Sequence, residues 1–158
     1  MRFYKFLNES TLQREDIINI PFLSYDSRMR TEAEYFSLDK IKVGKSFFEL
    51  PDKEAQLHVL LHEIGHYVSD ITLNKGIIWE WSDKGYFVGD FNGRKVEGLN
   101  GHTVPGEFVS EAFAVYLLEP DFLRQYYNEF FQSFSEEIKS SEYKEAIAKA
   151  KEILKQFQ

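Results

Sequence analysis

The sequence predicts an α+β domain in which a small mixed sheet packs on one long helix and the C-terminal half is mostly helical. Three observations carry this. Residues 1–50 break into short β-like and helical segments, residues 52–70 form one uninterrupted helical pattern, and beyond residue 107 apolar residues recur at helical spacing. The 158 residues, 43% of them hydrophobic, suffice for one buried core. No repeat or Pro/Gly-rich linker divides them, so a single domain over 1–158 is expected.

In order along the chain, Thr11 to Ile20 reads as a helix ended by Pro21, and Tyr35-Phe36 and Lys40–Val43 read as short strands. Asp52 suits the N-cap of the long helix through about Asp70. Residues 76–99 read as a β-hairpin. The β-rich run Ile77-Ile78-Trp79-Glu80-Trp81 comes first, then a turn at Ser82 to Gly85 and a second strand from Tyr86, and Asn92-Gly93 is a tight-turn signal. Trp79, Trp81, Tyr86 and Phe87 then serve as core or line a cleft. The segment 107–158 reads as helices: Glu107 to Leu118 stopped by Pro120, another over 121–134, and a last one from Ser141 to Gln156. The last carries an apolar stripe at Tyr143, Ile147, Ala150 and Leu154.

Composition removes several function classes. The net charge of -7 disfavours a phosphate backbone as partner, so no nucleic acid is expected. The absence of cysteine removes thiol catalysis and thiolate metal sites, and it fits a reducing compartment. The first residues hold no sustained apolar run, and no stretch is long and apolar enough to span a bilayer. A cytoplasmic monomer without membrane contact is the expectation.

The chemistry concentrates at His62-Glu63-Ile64-Gly65-His66, an HExxH motif. Residues i and i+4 share a helix face, so both imidazoles can reach one ion, and neutral imidazole suits Zn²⁺. Glu63, about 100° round the helix, stands beside the histidines where it can take a proton from water. With Leu57 set at zero on a helical wheel, Leu57, Leu60, Leu61, Ile64 and Val68 cluster within roughly 60°, and His62 and His66 fall near the opposite side. His58, one turn earlier, is a poor further ligand, because three donors in a row on one helix cannot surround an ion. A packing or surface role is expected for it.

Two histidines leave a catalytic zinc short of a protein ligand. Ser69 and Thr72 occupy the positions where a metzincin has Gly and His, which excludes that class. The helix from Glu107 is apolar almost all round, yet Glu107 and Glu111 stack at i and i+4. Burying those carboxylates calls for a cation or donors. Glu107 is the expected third ligand, with Glu111 accepting a ring N–H of a ligand histidine. The reverse assignment and a salt bridge to Lys or Arg stay open. Ser110 and Ala114 flank the stripe and permit close approach to the motif helix.

The pairing of His62-Glu-Ile-Gly-His-Tyr-Val68 with Glu107-Phe-Val-Ser-Glu-Ala-Phe113 resembles the catalytic domain of anthrax lethal factor and the Pro-Pro endopeptidases, over roughly residues 40–118. The resemblance implies a zincin-like domain of gluzincin type. It assigns zinc to His62, His66 and Glu107, places Glu111 behind them, and makes a substrate-binding edge strand of residues 40–44. The family has a Tyr seven residues before the ligand Glu, where this chain has Asn100, so His102 or Tyr86 is the candidate to stabilise the oxyanion. A second resemblance, Phe113-Ala114-x-x-Leu117-Leu118-x-Pro120, is to the ImmA/IrrE peptidases, but the forty residues between His66 and Glu107 favour the first. The function expected is zinc-dependent endopeptidase action on a peptide or protein, with Glu63 as general base. A zinc-binding interaction domain without turnover is the non-enzyme alternative.

Overall fold

The computed structural model describes residues 11–86 and 105–157. The chain opens with a one-turn helix α1 (Arg14–Ile17), shorter than the sequence suggests. It then lays down three strands, β1 (Leu23–Tyr25), β2 (Ala33–Ser37) and β3 (Lys40–Val43). They form one sheet in the order β1-β3-β2, with β1 parallel and β2 antiparallel to β3. β3 is therefore the central strand. This corrects the expectation that residues 40–44 form a substrate-binding edge: both flanks of β3 are already hydrogen-bonded, so it has no free ladder to offer. The edge strands are β1 and β2, and a register shift between Tyr35 and Ser37 leaves Phe36 of β2 on the surface. The inward residues Ile41 and Val43 are fully buried.

A 3₁₀ turn at Lys45–Glu49 leads into α2 (Lys53–Lys75). The Asp52 carboxylate accepts the Ala55 N–H at 2.8 Å and so caps its start. The helix passes the expected end at Asp70 because nothing breaks it before Gly76, whose φ of 79° turns the chain out. At 1.5 Å per residue its 23 residues run about 34 Å. Leu57, Leu60, Leu61, Ile64 and Val68 are all fully buried, the face the wheel assigns to the core. Each such side chain contributes about 1.5–3 kcal/mol of hydrophobic stabilisation. Gln56, also fully buried, ties the N-terminal segment to α2: it accepts the Leu12 N–H at 2.8 Å and donates to the carbonyls of Leu12 and Phe47.

Residues 77–81, expected as the first strand of a hairpin, and the start of the turn expected at Ser82 to Gly85 are helical instead: α3 spans Ile77–Asp83. Gly76 redirects the chain from one helix straight into the next. The buried residues Ile78 and Trp81 then fall three apart, on one helical face, not two apart as in a strand. Trp81 packs on Phe130 and Phe134, and its Nε1–H donates to Ser133 Oγ at 2.8 Å, a set of contacts that outweighs the β preference of Ile and Trp. Trp79 stays half exposed. The remainder of the expected hairpin, 87–99, lies outside the described residues.

The C-terminal half is helical as expected: α4 (Pro105–Leu118), α5 (Pro120–Tyr126), α6 (Asn128–Ile138) and α7 (Lys144–Gln156). Tyr127 separates α5 from α6 within what reads as one helix. In α7 the most buried stripe is Ala146, Ala150 and Ile153, continued by Phe157 just past the helix end, while Ile147 and Leu154 flank it. Lys75 at the end of α2 binds Glu137 at 2.6 Å and Glu142 at 2.7 Å. α2 touches β2, α3, α4 and α7 and is the axis of the fold. Among the described residues, no helix is long and apolar enough to cross a membrane.

Candidate metal centre

The site lies where α2 and α4 run antiparallel. His58 meets Glu111, His62 meets Glu107 and Glu111, and Ser69 lies beside Gly106. Pro105 opens α4, a position where its missing N–H costs nothing. Of α4's residues, Phe108 to Val115 are all buried, Glu111 among them.

His62 is held at both ring nitrogens. Its Nδ1 lies 2.8 Å from Glu111 Oε2 and its Nε2 lies 3.0 Å from Glu107 Oε2. The other oxygen of Glu107 lies 3.5 Å from His66 Nε2, so one carboxylate spans both histidines. Glu63 Oε2 stands 3.7 Å from the same His66 Nε2. Donor atoms of His62, Glu63 and His66 all lie within 4.8 Å of one another. Two donors at about 2.1 Å from a tetrahedral zinc are ~3.4 Å apart. The Glu107 oxygens lie near that distance, Oε2 at 3.0 Å from His62 Nε2 and Oε1 at 3.5 Å from His66 Nε2, and the His₂–carboxylate donor set is one that zinc takes. The residues therefore fit the ion.

Other side chains brace this group. The Tyr35 backbone works to lower the Glu63 carboxyl against its burial, and the Tyr35 ring stacks on His66 with centroids 5.9 Å apart and planes 26° from parallel. Ser110 Oγ lies 3.1 Å from His66 Nδ1 and donates to the Gly106 carbonyl at 2.9 Å. The Nε2 of His58 lies against Glu111 Oε1, so Glu111 holds two histidines. The close approach of the helices comes from Gly65, which lies directly against the backbone of Ser110.

Burial and mutual charge set the protonation. Burial works to discharge His62, but its bonds to Glu107 and Glu111 outweigh it and hold the imidazole up at about 10. Burial likewise opposes ionisation of Glu111, and the His58 and His62 contacts overcome it and hold the carboxyl down at about 2. Glu107 is also lowered, its burial outweighed by the bond to His62. His66 is lowered, chiefly by burial. Glu63 rises to about 7, mainly through burial.

The structure thus brings together His62, Glu63, His66, Glu107 and Glu111. Tyr86 is placed elsewhere, its ring edge-on to Phe130 at 5.8 Å in the aromatic cluster that holds Trp81 and Phe108. His102 lies outside the described residues. Sequence reasoning missed Tyr35, the hydroxyl role of Ser110 and the contact of His58. The i,i+4 spacing of His58 and His62 was a visible signal for the last; Tyr35 gave none, because only the folding of β2 onto α2 brings it there.

No family model, curated protein or solved structure matches the chain.

Proposed function

We propose that this chain is a zinc-dependent endopeptidase acting on peptides or proteins. The observation that carries the proposal is the convergence of His62 Nε2, His66 Nε2 and the Glu107 carboxylate, with Glu63 beside them. His62, His66 and Glu107 would hold the ion. When bound, zinc supplies a Lewis acid that polarises the scissile carbonyl and acidifies the attacking water.

The remaining chemistry belongs to the chain's own residues. Glu63 takes the proton of the attacking water and passes it to the leaving amine. Its carboxyl, raised to about 7 by burial, is matched to a proton that must be both taken and given near neutrality. Glu111 accepts from His62 Nδ1–H and leaves its Nε2 lone pair free. β2, the edge strand beside α2, offers backbone groups to which an extended peptide can add as a strand. Tyr86, packed on Phe130, is too far removed to serve as the oxyanion donor, and His102, outside the described residues, remains the candidate. A structural zinc has no use for a base placed as Glu63 is, which favours turnover over a binding role.

The test is cleavage of a diverse peptide library by the zinc-loaded protein and by its Glu63→Gln variant. Cuts made only by the intact protein are the expected result, with a loss in the variant of about 10²-fold or more. Equal cleavage by both, or none by either with zinc bound, would remove the peptidase reading.

A further inference from the structure

We infer that Ser110 is a positioning residue that selects the tautomer of His66 and so presents its Nε2 to the metal; this rests on the zinc reading above.

Ser110 is fully buried and carries a single hydroxyl proton. Its Oγ has two neighbours, the carbonyl of Gly106 at 2.9 Å and His66 Nδ1 at 3.1 Å. The carbonyl can only accept, and it is the nearer of the two, so the first partition sends the hydroxyl proton there. Oγ is then left with lone pairs alone toward His66, and the nitrogen facing it must carry the hydrogen. A neutral imidazole protonated at Nδ1 has its lone pair at Nε2, the atom 3.5 Å from Glu107 and 3.7 Å from Glu63.

The other partition sends the hydroxyl proton to His66 Nδ1. It would put the hydrogen on Nε2 and block coordination through that atom. The two partitions are mutually exclusive, so the site works only with the first. His62 meets the same need by a different route, through the carboxylate of Glu111. At position 110 the side chain is fully buried, so a carboxylate there would carry a desolvation cost that a hydroxyl avoids. A hydroxyl that has committed its proton one turn back along α4 is the smallest acceptor that fits there.

The experiment uses the full chain labelled with ¹⁵N at histidine. Long-range ¹H–¹⁵N spectra of the metal-free protein near pH 7.5 report which ring nitrogen of His66 holds the hydrogen. Competition with a chromophoric chelator then gives zinc affinity for the wild type and for Ser110→Ala. Expected are an Nδ1-protonated His66 in the wild type, a shift toward the Nε2-protonated form in Ser110→Ala, and zinc binding weakened about ten- to a hundredfold. The thermal midpoint of the metal-free variant should stay close to wild type, which a merely structural role would not allow. An Nε2-protonated His66 in the wild type, or full zinc affinity in Ser110→Ala, would overturn the inference. The wild-type spectrum needs no variant, so a poorly folding Ser110→Ala does not shield it. If the wild type binds no zinc, the endopeptidase reading falls, while the spectrum still decides the role of Ser110.

Discussion

Gly65 and Ser110 meet where α2 crosses α4: a Cβ placed on Gly65 would lie 2.4 Å from the Ser110 carbonyl oxygen and 2.8 Å from its Cα. That approach brings both glutamates of α4 onto the histidines of α2. On an exposed helix face Gly→Ala would gain about 1 kcal/mol. Here the obstructing atoms are backbone and cannot rotate aside. Gly65→Ala should therefore cost roughly 1–3 kcal/mol in urea unfolding and weaken zinc binding as α4 is displaced. A variant as stable as wild type, with full zinc affinity, would show that the crossing is not what sets the site.

The two glutamates of α4 should separate cleanly on substitution. Glu107 faces both Nε2 atoms, whereas Glu111 touches Nδ1 of His62 and is held by His58. Glu107→Gln should abolish tight zinc binding, and Glu111→Gln should weaken it about ten- to a hundredfold. Metal analysis by chelator competition distinguishes them; zinc kept in Glu107→Gln but lost in Glu111→Gln would reverse the assignment.

In the metal-free protein His62 holds its proton up to about 10, and loading zinc must expel it. Apparent zinc affinity should thus rise about tenfold per pH unit through the neutral and mildly alkaline range. Metal-free stability should move the opposite way. The contribution of His62, raised above 6.5, is complete below that value and is lost as pH climbs toward 10. Glu63, raised from 4.5 to about 7, also loses its contribution between those values. The contribution of Glu111, lowered to about 2, is present above 4.5 and lost on acidification toward 2. Unfolding midpoints across pH 3–10 should peak on the acid side of neutrality without zinc; a peak at alkaline pH would contradict the pairing.

Gln56→Leu should destabilise by about 2 kcal/mol, because it strands the backbone N–H and carbonyl of Leu12 and removes one of two donors from the Phe47 carbonyl. Zinc affinity of the folded fraction should be unchanged. A neutral result in urea titration would mean that water replaces the lost bonds.

Much of this site was legible in the chain because helices make short-range geometry readable. The four-residue spacings of His62 with His66, and of Glu107 with Glu111, fix shared faces before any fold is known. The face with Leu57, Leu60, Leu61, Ile64 and Val68 is legible for the same reason. What stayed hidden depends on tertiary placement. Tyr35 reaches His66 only because β2 lies along α2. Residues 77–81 carry a strand's composition, but the left-handed Gly76 and the fit of Trp81 against Phe130 and Phe134 impose a helix. The centrality of β3 was hidden too, because it depends on the parallel pairing of Leu23–Tyr25, a strand too short to announce itself.

That α2 is both the axis of packing and the bearer of His62, Glu63 and His66 shapes how genetic data on this protein should be interpreted. A screen for lost activity will return positions along this helix for two unrelated causes, collapse of the core and damage to the chemistry. The residues of the helix sort by direction: substitutions at the buried Leu57, Leu60, Leu61, Ile64 and Val68 should lower the yield of soluble protein, whereas those at His62, Glu63 and His66 should leave yield intact and abolish the proposed turnover. Measuring abundance beside activity for each variant would draw the boundary between scaffold and reagent through the middle of a single helix.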